Sequence, residues 1–148
     1  MIHLYMFWKL PAAWFMGVRL QKCDGARAEV RLRYSWFSQN PFKSIYFAAQ
    51  CAAGEFSTGI LVLEALKGQP PVSMLVTHIE AEFYKKASQT LIFTCEEGAE
   101  IKAAVQQTLS TGQPVTLRMT STGRLPDGTE ATKVWVTWSL KGKSKVIG

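Results

Sequence analysis

The residues whose types could support chemistry lie in the segment SQNPFKSIYFAAQCAAGEFSTG, residues 38–59. Glu55 is an acid inside a run of small and apolar residues, where a carboxylate can attack a carbonyl or activate a water. Asn40 precedes Pro41, and its side-chain amide can orient a water or a carbonyl. Two simpler roles stay open here. Glu55 could lie on an exposed helix face, and Asn40 could be a turn residue, a common role before proline.

A long buried helix is predicted for residues 43–67, and it would position Glu55. Small and apolar residues fill nearly every position without the alternation of a strand, and Gly68-Gln69-Pro70-Pro71 ends the segment. A helix that is apolar on nearly all sides lies inside a fold. The N–H groups of its first turn lack helical partners, and the helix dipole is positive there, so this end suits a developing negative charge.

The other segments predict strands around this helix. Asp24-Gly25 and Pro126-Asp127-Gly128 are turn signals, each lying between two extended runs. Two more strands are predicted within residues 72–87 and 89–96, and a short amphipathic helix follows, ending at Gly112. About six antiparallel strands and one long helix predict an α+β fold, in which a curved sheet wraps around the helix.

The whole chain, residues 1–148, is predicted to be one domain, because its length and 47% apolar content suit a single core. Residues 1–16 are predicted to form an apolar N-terminal helix, interrupted at Pro11, that packs on this domain. The apolar run is too short to span a bilayer. Contact with a membrane is therefore expected to be minor.

This arrangement resembles the hotdog fold of acyl-CoA thioesterases, and most closely a DUF4442-type branch near the phenylacetate-pathway thioesterases. Members typically have Asn, then His-Gly-Gly six residues later, then Asp or Glu nine residues past the His. At these spacings Asn40 is followed by Tyr46 and Glu55, whereas Tyr46-Phe47-Ala48 replaces His-Gly-Gly. The segments HIEAEFYKKA and DGTEATKVWVTW resemble the strand after the helix and the last hairpin of the family.

The resemblance implies hydrolysis of an acyl-CoA thioester, and it assigns a role to each matching residue. The backbone N–H of Phe47, at the position of the first Gly, would donate to the oxyanion that forms on the carbonyl. Tyr46 would lie beside it, or simply pack as an aromatic residue. Asn40 would orient the water or the carbonyl, and Glu55 would attack directly or activate the water.

Phe47 and Glu55 cannot serve one site from the same chain. A helix rises about 1.5 Å per residue, so these two residues stand roughly 12 Å apart along the axis. An oxyanion donor and a nucleophile must both reach one carbon, each at about 3 Å. The spacing therefore predicts a homodimer with antiparallel central helices and two shared sites, as the resemblance also implies. Further pairing into a tetramer is left open.

The remaining candidate residues would bind the substrate. Thr58 lies one helical turn beyond Glu55 and could bond its carboxylate or a water, or equally its own helix backbone. Coenzyme A enters only as part of the substrate, and no other cofactor is expected. Its phosphates would be attracted by Lys85, Lys86 or Arg124, a prediction that rests on charge alone.

The composition limits the other possibilities. The net charge of +6 would attract an anionic partner, but no nucleic-acid-binding motif and no metal-binding cluster accompany it. Three separated cysteines, Cys23, Cys51 and Cys95, argue against a disulfide framework, so a reducing, cytoplasmic location is expected. The positions of His3 and His78 do not match the His–acid pair of hotdog dehydratases.

Two rivals to a thioesterase remain at this stage. The first is a non-catalytic protein that binds acyl-CoA or lipid on the same fold. The second is a membrane-surface protein that uses the apolar N-terminus and the basic tail KGKSK.

Overall fold

The computed structural model describes residues 1–143. Ser144 and Lys145 of the basic tail lie outside this range. The helices and strands, in chain order, are α1 (Ile2–Lys9), α2 (Pro11–Phe15), β1 (Val18–Cys23), β2 (Ala28–Leu32), α3 (Phe47–Leu66), β3 (Val72–Phe83), β4 (Leu91–Cys95), α4 (Gly98–Thr111), β5 (Val115–Arg124) and β6 (Glu130–Gly142).

The six strands form one antiparallel sheet in the order β1-β2-β4-β5-β6-β3. The two turn signals do join hairpins, β1–β2 and β5–β6. Helix α4 ends at Gly112, whose left-handed φ of 70° closes the last turn. The prediction of an α+β fold with a sheet curved around a long helix is thus confirmed.

Helix α3 packs against the inner face of the sheet, and small residues bring it close. Ala49, Ala53 and Leu61 are fully buried. At Gly54 an added Cβ would lie 2.6 Å from the Cβ of Val134 on β6, well inside contact distance. Glycine at this position therefore permits the approach of helix to sheet, and the buried central helix predicted from composition is observed.

The central helix begins at Phe47, later than residue 43, and ends at Leu66. The residues before it belong to a loop that the fold holds in a non-helical shape. Lys43 has a left-handed φ of 57°, and Ile45 forms an isolated bridge with Gln39. The N–H of Tyr46 donates to the Ser38 carbonyl over 2.7 Å. These bonds fix the point at which the helix starts.

The N-terminal segment forms two helices, where a single interrupted one was predicted. Leu10 leaves the helical region, with φ −133° and ψ 54°, because the ring of Pro11 disfavours a helical residue before it. Pro11 then begins α2, a position that proline tolerates. Met6 is fully buried and anchors α1 to the domain.

Strand β3 lies at the edge of the sheet and pairs only with β6 among the described strands. It is 12 residues long, and Leu75, Ile79 and Phe83 expose large parts of their side chains along it. A long apolar edge offers unpaired backbone groups to another strand. This edge is the part of the fold best suited to pairing with a second chain.

Candidate active site

A cavity of about 510 Å³ opens beside the N-terminus of α3. Most of the residues predicted to act on or bind the substrate line it, together with the side chains of the preceding loop and the end of β3. The predicted residues among them are Asn40, Tyr46, Phe47, Lys85 and Lys86.

The first turn of α3 presents a free donor to this cavity. Among the described residues, no acceptor is found for the backbone N–H of Phe47, and Tyr46 at the N-cap supplies no side-chain bond. The rings of Tyr46 and Phe47 meet edge to face at 4.9 Å, and the ring of Phe47 meets that of Phe83 at 6.4 Å. The predicted oxyanion donor is thus available, with aromatic side chains around it.

Asn40 is engaged in the loop. Its Oδ1 accepts from the N–H of Phe42 over 2.9 Å and from the N–H of Ser44 over 3.2 Å. Its Nδ2 donates to the hydroxyl of Ser44 over 2.9 Å. These bonds correspond to the turn role left open by the sequence. They place Asn40 at the cavity wall, and a contact with substrate stays a prediction.

Gln50 is a cavity residue that the sequence reasoning missed. It is buried, its Nε2 donates to the carbonyl of Ile45 over 3.0 Å, and its Oε1 accepts from the hydroxyl of Thr132 on β6. The amide therefore ties the loop, the helix and the sheet together in the cavity that Phe47 also lines. A polar residue in a run of small apolar ones was the signal that could have revealed it.

Glu55 lies in a second, smaller cleft of about 200 Å³ between α1, α3 and the sheet. Tyr5, Leu63 and Trp138 help to line it. The side chain is half-buried, and burial raises the pKa of its carboxyl. Among the described residues its carboxylate has no ion-pair partner within 4 Å. A desolvated, unpaired carboxylate in a cleft is a candidate general base.

Thr58 is buried, and its hydroxyl has two partners. It donates to the backbone carbonyl of Glu55 over 2.8 Å, and it accepts from the indole N–H of Trp138 over 2.9 Å. The hydroxyl thus bonds its own helix, one of the two alternatives from the sequence, and it fixes the indole that forms a wall of the Glu55 cleft. Direct contact of Thr58 with a ligand stays a prediction.

Lys85 and Lys86 are exposed at the rim of the larger cavity, where no carboxylate of the described residues lies within 4 Å of them. Arg124 does not line that cavity, and its guanidinium pairs with Glu130 at 3.0 Å. The two lysines are therefore positioned to bind an anionic ligand at the cavity rim, whereas Arg124 is paired with Glu130 outside the cavity.

The larger cavity and the Glu55 cleft share no lining residue. The free N–H of Phe47 and the carboxylate of Glu55 thus open onto different parts of the surface of one chain. These two predicted groups lie about two helical turns apart along α3. One chain does not bring them together.

Within residues 1–143, neither the two more buried cysteines nor His78 forms a competing site. Burial raises the pKa of Cys95 to about 12 and also raises that of half-buried Cys51, so neither is an activated thiol. His78 is exposed on β3. No group of three or more metal-binding side chains occurs within residues 1–143. In the same range, no helix has the length and apolar character needed to cross a membrane.

Solved structures with this fold include thioesterases. A thioesterase of Haemophilus influenzae superposes with a TM-score of 0.69 at 10% identity, covering 93% of this chain and 87% of its own. A mutant of a thioesterase enzyme of Staphylococcus aureus gives 0.65 at 11% identity, covering 85% and 94%. A protein of unknown function from Chlorobaculum tepidum gives 0.80 at 12% identity, covering 96% and 93%. At such identities the likeness establishes the hotdog-type fold.

Sequence comparison adds the family. No curated protein matches the chain. The sequence pattern of a domain family of unknown function, DUF4442, matches residues 2–140, nearly the whole chain. A match over this length shows that the chain, with its hotdog-type fold, belongs to the DUF4442 family.

Proposed function

We propose that this protein hydrolyses the thioester bond of an acyl-CoA at a site shared by two identical subunits. The observation that carries the proposal is the pair of half-sites on α3. Among residues 1–143, the Phe47 N–H at one cavity has no acceptor, and the Glu55 carboxylate in the other has no ion-pair partner within 4 Å. The thioesterases among the solved structures of this fold support the reaction class.

The edge strand β3 supports the choice of a second copy as the missing partner. Phe83 at its end contacts the ring of Phe47, so the exposed edge runs directly into the larger cavity. Antiparallel pairing of two β3 edges would cover Leu75 and Ile79 and satisfy their free backbone groups. It would also place two α3 helices side by side in opposite directions, bringing Glu55 of one toward Phe47 of the other.

In the proposed reaction the thioester carbonyl accepts a hydrogen bond from the N–H of Phe47. The partner subunit's Glu55 removes a proton from a water, whose oxygen attacks the carbonyl carbon. The negative charge that develops on the carbonyl oxygen is stabilised by the N–H and by the positive end of the helix dipole. The carbon–sulfur bond then breaks, and the sulfur leaves as the coenzyme A thiol after taking the proton from Glu55.

The substrate would approach over the rim formed by Lys85 and Lys86. Both lysines are exposed, and no carboxylate of the described residues lies within 4 Å of either ammonium group, so phosphates of coenzyme A can approach them. Tyr46, Phe47 and Phe83 line the same cavity and supply apolar contact. Asn40 lies at the same wall, near the point where a water or carbonyl would be held.

The direct test is an assay of purified protein against acyl-CoA esters of increasing chain length. We expect hydrolysis of at least one ester, and a loss of about 10²–10⁴ in kcat for Glu55→Gln, the range for removal of a general base. Glu64→Gln is the matched control, because Glu64 lies on the same helix and pairs with Lys67 at the surface. Inertness toward every ester, or full activity of Glu55→Gln, would contradict the proposal.

The second candidate is an acyl-CoA carrier without turnover. Two observations favour it: the aromatic side chains of Tyr46 and Phe47 at the donor, and the engagement of Asn40 in its own loop. Calorimetric titration with an unreactive thioether analogue of acyl-CoA separates the two candidates. Tight binding of the analogue together with absence of hydrolysis would select the carrier.

A further inference from the structure

Exposed aromatic side chains form one continuous cluster on the surface, drawn from α1, α2 and the loop after β2. Phe7 meets Phe15 at 6.3 Å between ring centroids, and Phe15 meets Phe37 at 6.1 Å. Trp36 then meets Phe37 at 5.1 Å. Trp36 is 76% exposed and Trp8, beside Phe7, is 71% exposed. Large exposed apolar clusters of this kind mark sites that bind another protein, a membrane or a ligand.

Three arginines lie next to this cluster on the outer face of the sheet. Arg19 of β1 and Arg31 of β2 are directly opposite one another in the strand register, and Arg33, just past the end of β2, lines the same cleft. None of the ion pairs found within residues 1–143 includes any of the three. Like charges directly opposite on paired strands are destabilising. A bound anion would offset this cost.

The two features meet in a cleft of about 320 Å³, whose walls include Phe15, Phe37 and all three arginines. Arg19 is held in place there. Its guanidinium lies 3.4 Å from the centroid of the Trp14 ring, and its Nη1 donates to the Trp14 carbonyl over 2.7 Å. Burial and the charge of Arg31 together lower the pKa of Arg19, as expected where positive charges are crowded and partly removed from water.

We propose that this aromatic–arginine surface docks the protein on a membrane containing anionic phospholipids. The arginines bind lipid phosphates, for which the planar guanidinium is suited, and the tryptophans and phenylalanines enter the interfacial layer. A second copy of the chain fits less well, because a symmetric contact would bring two sets of unpaired arginines together. No spanning segment is needed for this peripheral binding. The sequence led us to expect little membrane contact, since it does not reveal that these residues share one face.

The test is flotation of the full-length protein with lipid vesicles at low ionic strength. One set of vesicles contains phosphatidylcholine alone, and the other contains equal parts of phosphatidylcholine and phosphatidylglycerol. We expect the protein to float with the anionic vesicles and to remain behind with the neutral ones. Added salt should release it, because screening weakens the attraction to the anionic surface.

Variants identify the surface. Arg31→Glu should reduce partitioning onto anionic vesicles by about tenfold or more, since each charge near such a surface contributes measurably to binding. Lys102→Glu changes the net charge equally on α4, which packs with α3 on the other side of the sheet, and should retain binding. Phe37→Ser should weaken binding, and Phe37→Leu, which keeps an apolar side chain, should retain most of it. Circular dichroism verifies that each variant is folded.

Three outcomes would overturn the proposal: no flotation with either vesicle, equal loss for Arg31→Glu and Lys102→Glu, or equal flotation with neutral and anionic vesicles. A fourth such outcome can come from sedimentation velocity of the Phe37→Ser variant. If wild type does not float and this variant alone loses mass as an oligomer, the surface is a contact between copies. Loss of thioesterase activity in Glu55→Gln bears only on the proposed function, because vesicle binding does not require turnover.

Discussion

Tyr46 has an extended backbone, with φ −58° and ψ 134°, immediately before Phe47, the first residue of α3. This geometry is the one that a residue takes before proline, and proline is well tolerated at the first position of a helix. The backbone N–H that we propose as the oxyanion donor can therefore be removed by a substitution that leaves the helix in place.

Phe47→Pro should lower kcat for thioester hydrolysis by about 10²–10³, the cost of losing one oxyanion-hole donor. The protein should fold, because α3 keeps its start and the side chain of Phe47 is 56% exposed. Steady-state kinetics and circular dichroism measure the two effects. Phe47→Ala removes the ring but keeps the N–H, so it is the matched control. Equal losses in both variants would assign the effect to the ring and would contradict the donor role.

Mixing two inactive variants tests whether the site is shared. In a heterodimer of Phe47→Pro and Glu55→Gln, one site contains both substitutions and the other contains neither. Activity should therefore return when the two proteins are unfolded together and refolded as a mixture. Each variant refolded alone is the control. If the mixture stays as inactive as its components while heterodimers form, both groups act within one chain, or neither acts.

Glu55→Gln should make the folded protein more stable at neutral pH. Burial raises the pKa of the Glu55 carboxyl in the folded state, so the folded protein holds the proton more tightly than the unfolded chain. Stability from this group is complete below the usual Glu pKa, about 4.3, and is lost as pH rises through the folded pKa. Removing the charge should therefore raise Tm by a few degrees at about pH 8 and by little at about pH 4.

The raised pKa of the Glu55 carboxyl also determines how the hydrolysis rate falls at acidic pH. A base must be deprotonated, so kcat of the wild-type protein should fall on acidification with an apparent pKa above 4.3. A profile of kcat against pH measures it. A rate that stays constant down to the ordinary Glu pKa, or a destabilised Glu55→Gln at neutral pH, would argue against a desolvated carboxylate as the base.

Thr58→Val should reduce the free energy of unfolding by about 1–3 kcal/mol, because the buried indole N–H of Trp138 loses its acceptor. The side chain keeps nearly the same shape, so the effect reports the hydrogen bond. Urea unfolding measures it, with Thr116→Val as the control at an exposed position of β5. Equal stability of the two variants would mean that the bond contributes nothing to folding stability.

The Thr58→Val substitution should also lower kcat, because Trp138 lines the Glu55 cleft.

Replacing both Lys85 and Lys86 by alanine should raise KM for acyl-CoA by about twofold to tenfold, as expected for exposed charge pairs. The kcat value should change little, because neither lysine lies at the reacting groups we propose. An acyl thioester that lacks the nucleotide phosphates is the matched substrate, and its KM should be unaffected. An equal increase with both substrates would assign the lysines a structural role at the cavity rim.

Several features could be read from the sequence because they depend on neighbouring residues. The turns at Asp24-Gly25 and Pro126-Asp127-Gly128, the alternation along the strands and the small-residue helix led to the right fold. The separation of Phe47 from Glu55 followed from helix geometry alone. The resemblance to thioesterases supplied the roles of these residues.

Other features depend on segments that are far apart in the chain. Thr58 faces Trp138 and Gln50 faces Thr132 only after β6 has packed on α3. The loop bonds of Asn40 and the left-handed Lys43 set the start of the helix at Phe47. No local pattern predicted these contacts, because the partners are far apart in the sequence and meet only through the packing of separate segments.

Periodicity and turn propensity are local properties, so the helices and strands, their order along the chain and the side chains able to do chemistry could be predicted without coordinates. Which of these side chains have a hydrogen-bond or ion-pair partner follows from the folded arrangement. In the described part of the chain the Glu55 carboxylate has no ion-pair partner, the hydroxyl of Thr58 is hydrogen-bonded, and Arg19 lies opposite Arg31 beside exposed aromatic rings. The environment of each of these side chains follows from packing and desolvation, which depend on all the segments that pack around it.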